Sequence, residues 1–327
     1  MKIAGTKFLV TGGTGFIGAA LVRALVRNGA RVRSLDNDSR GAARRLADVE
    51  QDVELVRGDI RDATAVHKAT EGIDCVCHLA YVNGTEFFYS KPDVVLDVAV
   101  KGIVNVIDAC VAHHVPEFVL ASTSEVYQSP PRVPTDERVP LVVPDPLNPR
   151  YSYGGGKILA ELMAINFGRK HFSRTMIFRP HNVYGPDMGT EHVIPQFALR
   201  MKQLCAKERT GRIRFPIQGT GTETRAFIFI DDMIDGLIAM LNGGENLGIY
   251  HVGTSDEISM ADLAREVARC FGRDIEIVPG ELLKGGTLRR CPDTTKLRAL
   301  GFSPQTKLRE GLARTVSWYA EANTTEN

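Results

Sequence analysis

The sequence predicts an α/β fold: a doubly wound parallel sheet with a smaller lobe built mainly from the C-terminal half. Three observations carry this. Short apolar runs alternate with helical periodicity through the first half of the chain, the first run leads into a glycine-rich turn, and the alternation loosens after Pro180.

Taken in order, the pattern predicts strand Lys7–Thr11, a helix over 15–28, strands Arg31–Asp36 and Val53–Arg57, and a strand over 74–79. A helix over 92–113 and strand Glu117–Ala121 follow. Asn28-Gly29 is a stop signal for the first helix, and Pro116 sits just before the fifth strand. The stretch 129–149 is too rich in proline for a helix or a central strand, which makes it an extended surface loop. Helical periodicity resumes over 153–170. We expect a dinucleotide-binding domain over 1–180, joined by segments returning from about 225–255, and a substrate lobe mainly over 181–327.

The 327 residues can bury a large core, and 43% hydrophobic with 24% charged residues is an ordinary globular balance. Forty Lys and Arg nearly cancel 39 Asp and Glu, so no overall field recruits nucleic acid or an acidic membrane surface. No secretory leader pattern and no apolar run of about 18 residues is seen. The six cysteines are scattered, and the C-x-C of Cys75 and Cys77 is too close for common zinc spacings. Reduced, buried thiols, no metal and a cytoplasmic location are the expectation.

The turn after the first strand reads Thr11-Gly12-Gly13-Thr14-Gly15-Phe16-Ile17-Gly18. Gly12, Gly15 and Gly18 let the backbone approach a pyrophosphate, while the helix start at Phe16 and Ile17 offers free N–H groups and positive potential. This is the fingerprint of a Rossmann-type dinucleotide site. Asp36 ends the second strand about 20 residues on, where an acid accepts ribose hydroxyls and repels a 2′-phosphate, so NAD is expected over NADP. Arg33, Arg40, Arg44 and Arg45 read as solvated charges. Asp59 and Ile60 are placed for an adenine contact, and Leu79 and Ala80 for the wall beneath the nicotinamide ribose.

After the fifth strand comes the polar run Ser122-Thr123-Ser124-Glu125, at the sheet end where ligands bind in open α/β folds. Tyr153 and Lys157 are four apart and share a helix face, where an ammonium would favour the phenolate and make the tyrosine a base. With His78-Leu79-Ala80, Tyr153-Gly154-Gly155-Gly156-Lys157, the run Arg179-Pro180-His181-Asn182-Val183-Tyr184-Gly185-Pro186, Arg225 within Thr224–Asp232, and Arg289-Arg290-Cys291-Pro292-Asp293, the chain resembles the extended short-chain dehydrogenase/reductase superfamily. The similarity is to its NAD-dependent nucleotide-sugar epimerase, dehydratase and decarboxylase branch, from Lys7 to about Tyr319. It implies an enzyme in which Thr123, Tyr153 and Lys157 form the catalytic group. Asn182, Arg225 and Arg289 or Arg290 would hold the diphosphate of a nucleotide sugar, and a homodimer would pair the helix over 92–113 with the Tyr153 helix.

Two departures stand out. Ala99 replaces a common asparagine, and three glycines fill Tyr153 to Lys157, which we read as extra room for the sugar. The resemblance implies oxidation of the sugar at C4 to a ketone, after which Glu125 can act as the C5 base. That makes 4,6-dehydration the leading reading and 4-epimerisation the alternative. A UDP-glucuronate-type decarboxylase is disfavoured by repulsion between Glu125 and a substrate carboxylate unless a cation offsets it. A non-catalytic NAD-binding sensor would tend to lack Tyr153 or Lys157. His181 is expected to be packed and hydrogen-bonded.

Overall fold

The computed structural model describes residues 2–281 and 287–321. The chain begins β1 (Lys7–Thr11), α1 (Phe16–Arg27), β2 (Arg31–Asp36), β3 (Val53–Arg57), α2 (Ala63–Thr70), β4 (Cys75–His78), α3 (Thr85–Ser90), α4 (Pro92–Ala112) and β5 (Glu117–Ala121). It continues through α5 (Tyr151–His171), β6 (Arg174–Pro180), β7 (Val183–Tyr184), α6 (Val193–Lys207), β8 (Ile213–Pro216), β9 (Thr224–Ala226), β10 (Ile228–Phe229), α7 (Ile230–Gly243) and β11 (Gly248–Val252). The remainder is β12 (Glu257–Ser259), α8 (Met260–Cys270), β13 (Ile275–Val278), β14 (Arg289–Arg290), α9 (Thr295–Arg298) and α10 (Leu308–Glu321).

Seven strands form one sheet in the order β11-β6-β5-β4-β1-β2-β3, parallel throughout. Phe8, Leu9 and Val10 are all fully buried, as a continuous apolar run requires when helices cover both sheet faces. Leu9, Val76, Ile103, Ile107 and Leu120 belong to the core on one face, and Phe8, Val10, Cys77 and Val119 to the core on the other. The sheet order reverses between β1 and β4, which opens a crevice at the strand ends. Small sheets pair β13 with β8 and place β9 between β12 and β14.

The helix α5 starts two residues earlier than the periodicity suggests. Asn148 explains this, because its Oδ1 accepts the Arg150 N–H at 3.1 Å and begins the turn ahead of Tyr151. The buried face of α5 carries Tyr153, Gly156, Lys157, Ala160, Glu161 and Ala164, a helical spacing that mixes small and ionisable residues. The thiols are all free, as expected, but Cys270 is exposed on α8 rather than buried.

Behind the strand ends lies a buried polar network. Arg179 on β6 donates to Glu161 on α5 through Nε at 2.8 Å and through a second, shorter bond, and it also donates to the Tyr127 hydroxyl. Ser122 donates to the same Glu161 carboxylate. Tyr127 and His251 on β11 share a bond of 2.6 Å. Both Arg179 and Glu161 are about 98% shielded from water, so each charge depends on the other. Arg179→Met strands the Glu161 carboxylate without its cation, and we expect a loss of about 3–5 kcal/mol in equilibrium denaturation, the range for breaking one side of a buried pair.

Candidate active site

One continuous cleft crosses the carboxyl ends of the strands. Gly12, Gly15, Phe16, Ile17, Gly18, Asp36, Asp59 and Ile60 line its β1–β3 side, Leu79 and Ala80 its middle, and Thr123, Glu125, Tyr153, Lys157, Asn182 and Arg290 its β5–β6 side.

The first side has the shape a dinucleotide needs. Gly12 has φ +74°, and a Cβ there would lie 2.7 Å from the Ala80 nitrogen. A Cβ on Gly18 would lie 2.0 Å from the Gly12 carbonyl, so the turn and helix can touch only as glycine. Gly15 takes the N-cap position of α1 with no side-chain cap, which leaves the first amides of the helix pointing into the cleft. Both oxygens of Asp36 are pinned by backbone N–H groups, from Thr14 at 3.0 Å and from Asp38 at 2.9 Å. Asp59 is held by Arg61 and Asn37, and the Arg61 bonds draw its pKa down to about 2.

The neighbouring arginines are not simply solvated. Arg44 and Arg45 both grip Asp187, Arg40 pairs with Glu191 at 3.1 Å, and Arg33 bonds Glu54 and the carbonyls of Ala69 and Glu71. Their partners lie far along the chain, so local sequence could not reveal the pairing.

On the other side, α5 brings Tyr153 and Lys157 against the end of β5. Burial pushes the Tyr153 phenol up to about 12 and outweighs Thr123, which favours the phenolate. We expected the Lys157 ammonium to lower the Tyr153 pKa. Instead Lys157 donates to the Ala121 carbonyl at 2.7 Å and sits over the Tyr81 ring, and burial brings its own pKa down to about 7, with Glu161 opposing. Burial therefore dominates both groups.

Glu125 lines the cleft beside Thr123. It accepts from Arg290 at 2.6 Å and lies 3.5 Å from Arg150. Burial alone would raise its pKa, but the Arg290 and Arg150 charges overcome that and hold it below the usual carboxylate range. The two candidate arginines near 290 now separate. Arg290 faces the cleft, whereas Arg289 is exposed and forked onto Glu257. Alternation along β14 puts the two on opposite faces. Arg225 sits beside Arg290 in the β9–β14 pairing and is not among the residues that line the cleft; it donates to the carbonyls of Thr224 and Thr287, and burial, followed by the Arg290 charge, brings its pKa down to about 10. Asn182 lines the cleft and donates to the Ala226 carbonyl at 2.8 Å.

Two expectations need correcting. His181 is packed edge-on against His251 at 4.7 Å, but neither ring nitrogen has a hydrogen-bond partner among the described residues, and burial holds it neutral. The glycines before Lys157 do not enlarge a sugar pocket. A Cβ on Gly154 would meet the Gln128 amide at 2.7 Å, and one on Gly156 would meet the Tyr81 hydroxyl at 2.3 Å, so protein side chains take that space. Sequence reading also missed Tyr81, Phe88 and Arg150. Phe88 stacks on the Tyr153 ring at 4.7 Å. Among the described residues no group of three or more His, Cys, Asp or Glu could hold a metal ion.

Residues 8–253 match the model of the NAD dependent epimerase/dehydratase family, three quarters of the chain. The chain belongs to this family. A dTDP-glucose 4,6-dehydratase of Streptomyces niveus is 30% identical over 96% of this chain and 93% of its own length. UDP-glucuronic acid decarboxylase 3 of Arabidopsis thaliana is 32% identical over 94% of this chain and 86% of its own. Among solved structures, DesIV, a dTDP-glucose 4,6-dehydratase of Streptomyces venezuelae with NAD bound, superposes with a TM-score of 0.85 at 31% identity and covers 97% of each chain. The protein is an NAD-dependent nucleotide-sugar enzyme of the extended short-chain dehydrogenase/reductase type.

A 2′-phosphate would meet the pinned Asp36 carboxylate as a like charge. NAD should bind at least about tenfold more tightly than NADP, a modest share of what opposed charges can cost. Asp36→Ala should narrow that gap. Fluorescence titration of both cofactors checks it, and tighter NADP binding by the wild type would overturn the assignment.

Proposed function

We propose that the protein carries out 4,6-dehydration of a nucleoside-diphosphate hexose through a transient 4-keto sugar. The observation that carries this reading is Glu125, a carboxylate kept ionised beside Thr123 and Tyr153 in the same cleft. It is at hand to remove a proton that a neighbouring ketone has made acidic.

As the phenolate, Tyr153 accepts the proton of the C4 hydroxyl while Thr123 bonds the same oxygen and fixes its direction. Bound NAD supplies the hydride acceptor at C4 and the returning hydride at C6. Once C4 is a ketone, Glu125 takes the C5 proton. The same carboxyl then protonates the departing C6 oxygen, so water leaves, a C5–C6 double bond forms and Glu125 is ionised again; the hydride added at C6 is matched by a proton added at C5, which balances the one Tyr153 took from the C4 hydroxyl. Asn182, Arg225 and Arg290 are assigned to the diphosphate side of the substrate. The low pKa of Arg225 fits this, because an arriving anion offsets both the burial and the neighbouring Arg290 charge that depress it. We place Arg289 outside the site because its fork is taken by Glu257.

A second reading has one specific support. Arg290 and Arg150 both face Glu125, and Arg150 keeps a buried Nε with no hydrogen-bond partner among the described residues. These are the cations that would offset repulsion of a C6 carboxylate. A 4-keto uronic acid is a β-keto acid and loses carbon dioxide to an enolate that is then protonated at C5. Incubation with NAD and a panel of nucleotide sugars, followed by mass spectrometry, separates the readings. Loss of water supports dehydration, loss of carbon dioxide supports decarboxylation, and unchanged mass with altered chromatography supports 4-epimerisation.

Two variants test the residue roles within that assay. Tyr153→Phe should lower turnover by about 10²–10⁴-fold with little change in substrate binding. Glu125→Gln should abolish loss of water while the 4-keto sugar, trapped by borohydride, still forms. A Glu125→Gln enzyme that releases product at the wild-type rate would remove Glu125 from the chemistry.

The outer faces of α4 and α5 leave Leu96, Val100, Leu159 and Leu162 exposed. We assign this patch to a homodimer in which the two helices pair with those of a second copy, and six free thiols fit a reducing, cytoplasmic setting. Light scattering at micromolar concentration should give twice the 35.9 kDa chain mass, and Leu162→Glu should return it to one chain. A wild-type monomer would refute the pairing.

A further inference from the structure

Tyr81 touches both members of the Tyr153–Lys157 pair, and no sequence motif singled it out. The Lys157 Nζ lies 4.0 Å from the centroid of its ring, and its edge packs on the Tyr153 ring at 5.2 Å with an interplanar angle of 84°. Its hydroxyl points at the Tyr153 carbonyl from 3.5 Å. That hydroxyl occupies the space a side chain on Gly156 would need. A Cβ on Gly156 would lie 2.3 Å from the Tyr81 oxygen and 2.8 Å from the Ala99 Cβ. Gly156 therefore admits the Tyr81 phenol, and Ala99 packs against the same glycine.

We infer that Tyr81 is a positioning residue that holds the Lys157 ammonium through the face of its ring. Lys157 is buried, so its charge has lost most of its water, and its one bond given by the geometry goes to Ala121. An aromatic face replaces part of that lost hydration and fixes the ammonium over one spot. The phenol of Tyr81 stays neutral because burial pushes its pKa up, so the ring acts as a π surface and not as a competing base. The other groups facing Lys157 leave this task open. Glu161, one turn along α5, is shared with Arg179 and Ser122. His78 at the end of β4 is held neutral by burial, and burial pushes the Tyr153 phenol up to about 12.

The inference rests on the assignment of Lys157 to the catalytic group, and it is independent of which reaction follows. Its test needs no turnover, so its failure and that of the dehydratase reading are separable. Tyr81 is replaced by phenylalanine and by phenylalanines carrying one, two and three fluorines, which keep the ring's shape while draining its π face. In the full chain labelled with ¹³C-lysine, the Cε signal of Lys157, identified by its loss in Lys157→Arg, is followed against pH. The wild type should titrate near about 7. Tyr81→Phe should stay close to that value, and successive fluorines should lower the midpoint by about one pH unit in total, the size of a desolvated cation–π contact. A residue that only fills space is blind to fluorination, so a midpoint that stays constant across the series overturns the inference.

Discussion

The burial of one ammonium, that of Lys157, is the constraint around which this site is arranged. A lysine in a dry environment prefers to lose its proton, and the surroundings of Lys157 oppose that preference from several directions. The Ala121 carbonyl accepts its hydrogen bond, the Tyr81 ring lies beneath it, and Glu161 supplies a distant negative charge. Glu161 can remain ionised at that depth only because Arg179 pairs with it. Arg179 in turn reaches Tyr127, which follows Glu125 by two residues. The order of the reacting end thus runs from one buried cation through a chain of paired groups across α5, β6 and the turn after β5.

Charge is distributed differently at the two ends of the cleft. The β1–β3 side presents backbone: glycines without Cβ atoms, uncapped helix amides and one carboxylate held by N–H groups. The β5–β6 side presents side chains, and there the charges of Arg290, Arg150 and Arg225 gather around Glu125. Backbone recognition suits a cofactor whose shape is constant, whereas side-chain recognition lets relatives on the same fold act on different sugars.

The legibility of the chain follows that division. Gly12, Gly15, Gly18 and Asp36 could be placed from sequence because each acts through its own local backbone, within one strand–turn–helix unit. The Tyr153–Lys157 pair was equally readable, since a spacing of four on a helix puts both on one face. Glu125 was picked out by its position beside Thr123, but its electrical state was not readable, because Arg290 lies 165 residues away. The meaning of the three glycines was misread for the same reason. What fills their empty Cβ positions, Tyr81 and Gln128, comes from other loops.

Sequence by itself determined the parallel α/β architecture, the glycine turn between the first strand and helix, and the placing of Tyr153 and Lys157 on one helix face, since periodicity and short-range spacing are properties of the local chain. Tertiary structure alone decided which of Arg289 and Arg290 enters the cleft, that Arg44 and Arg45 are tied to Asp187, and that the His181 ring is packed with no hydrogen-bond partner among the described residues. It also decided that burial, more than the charge of its neighbour, sets the pKa of Tyr153. Each of those outcomes depends on desolvation and on partners brought together from distant segments, and neither exists until the sheet and its crossing helices have closed around them.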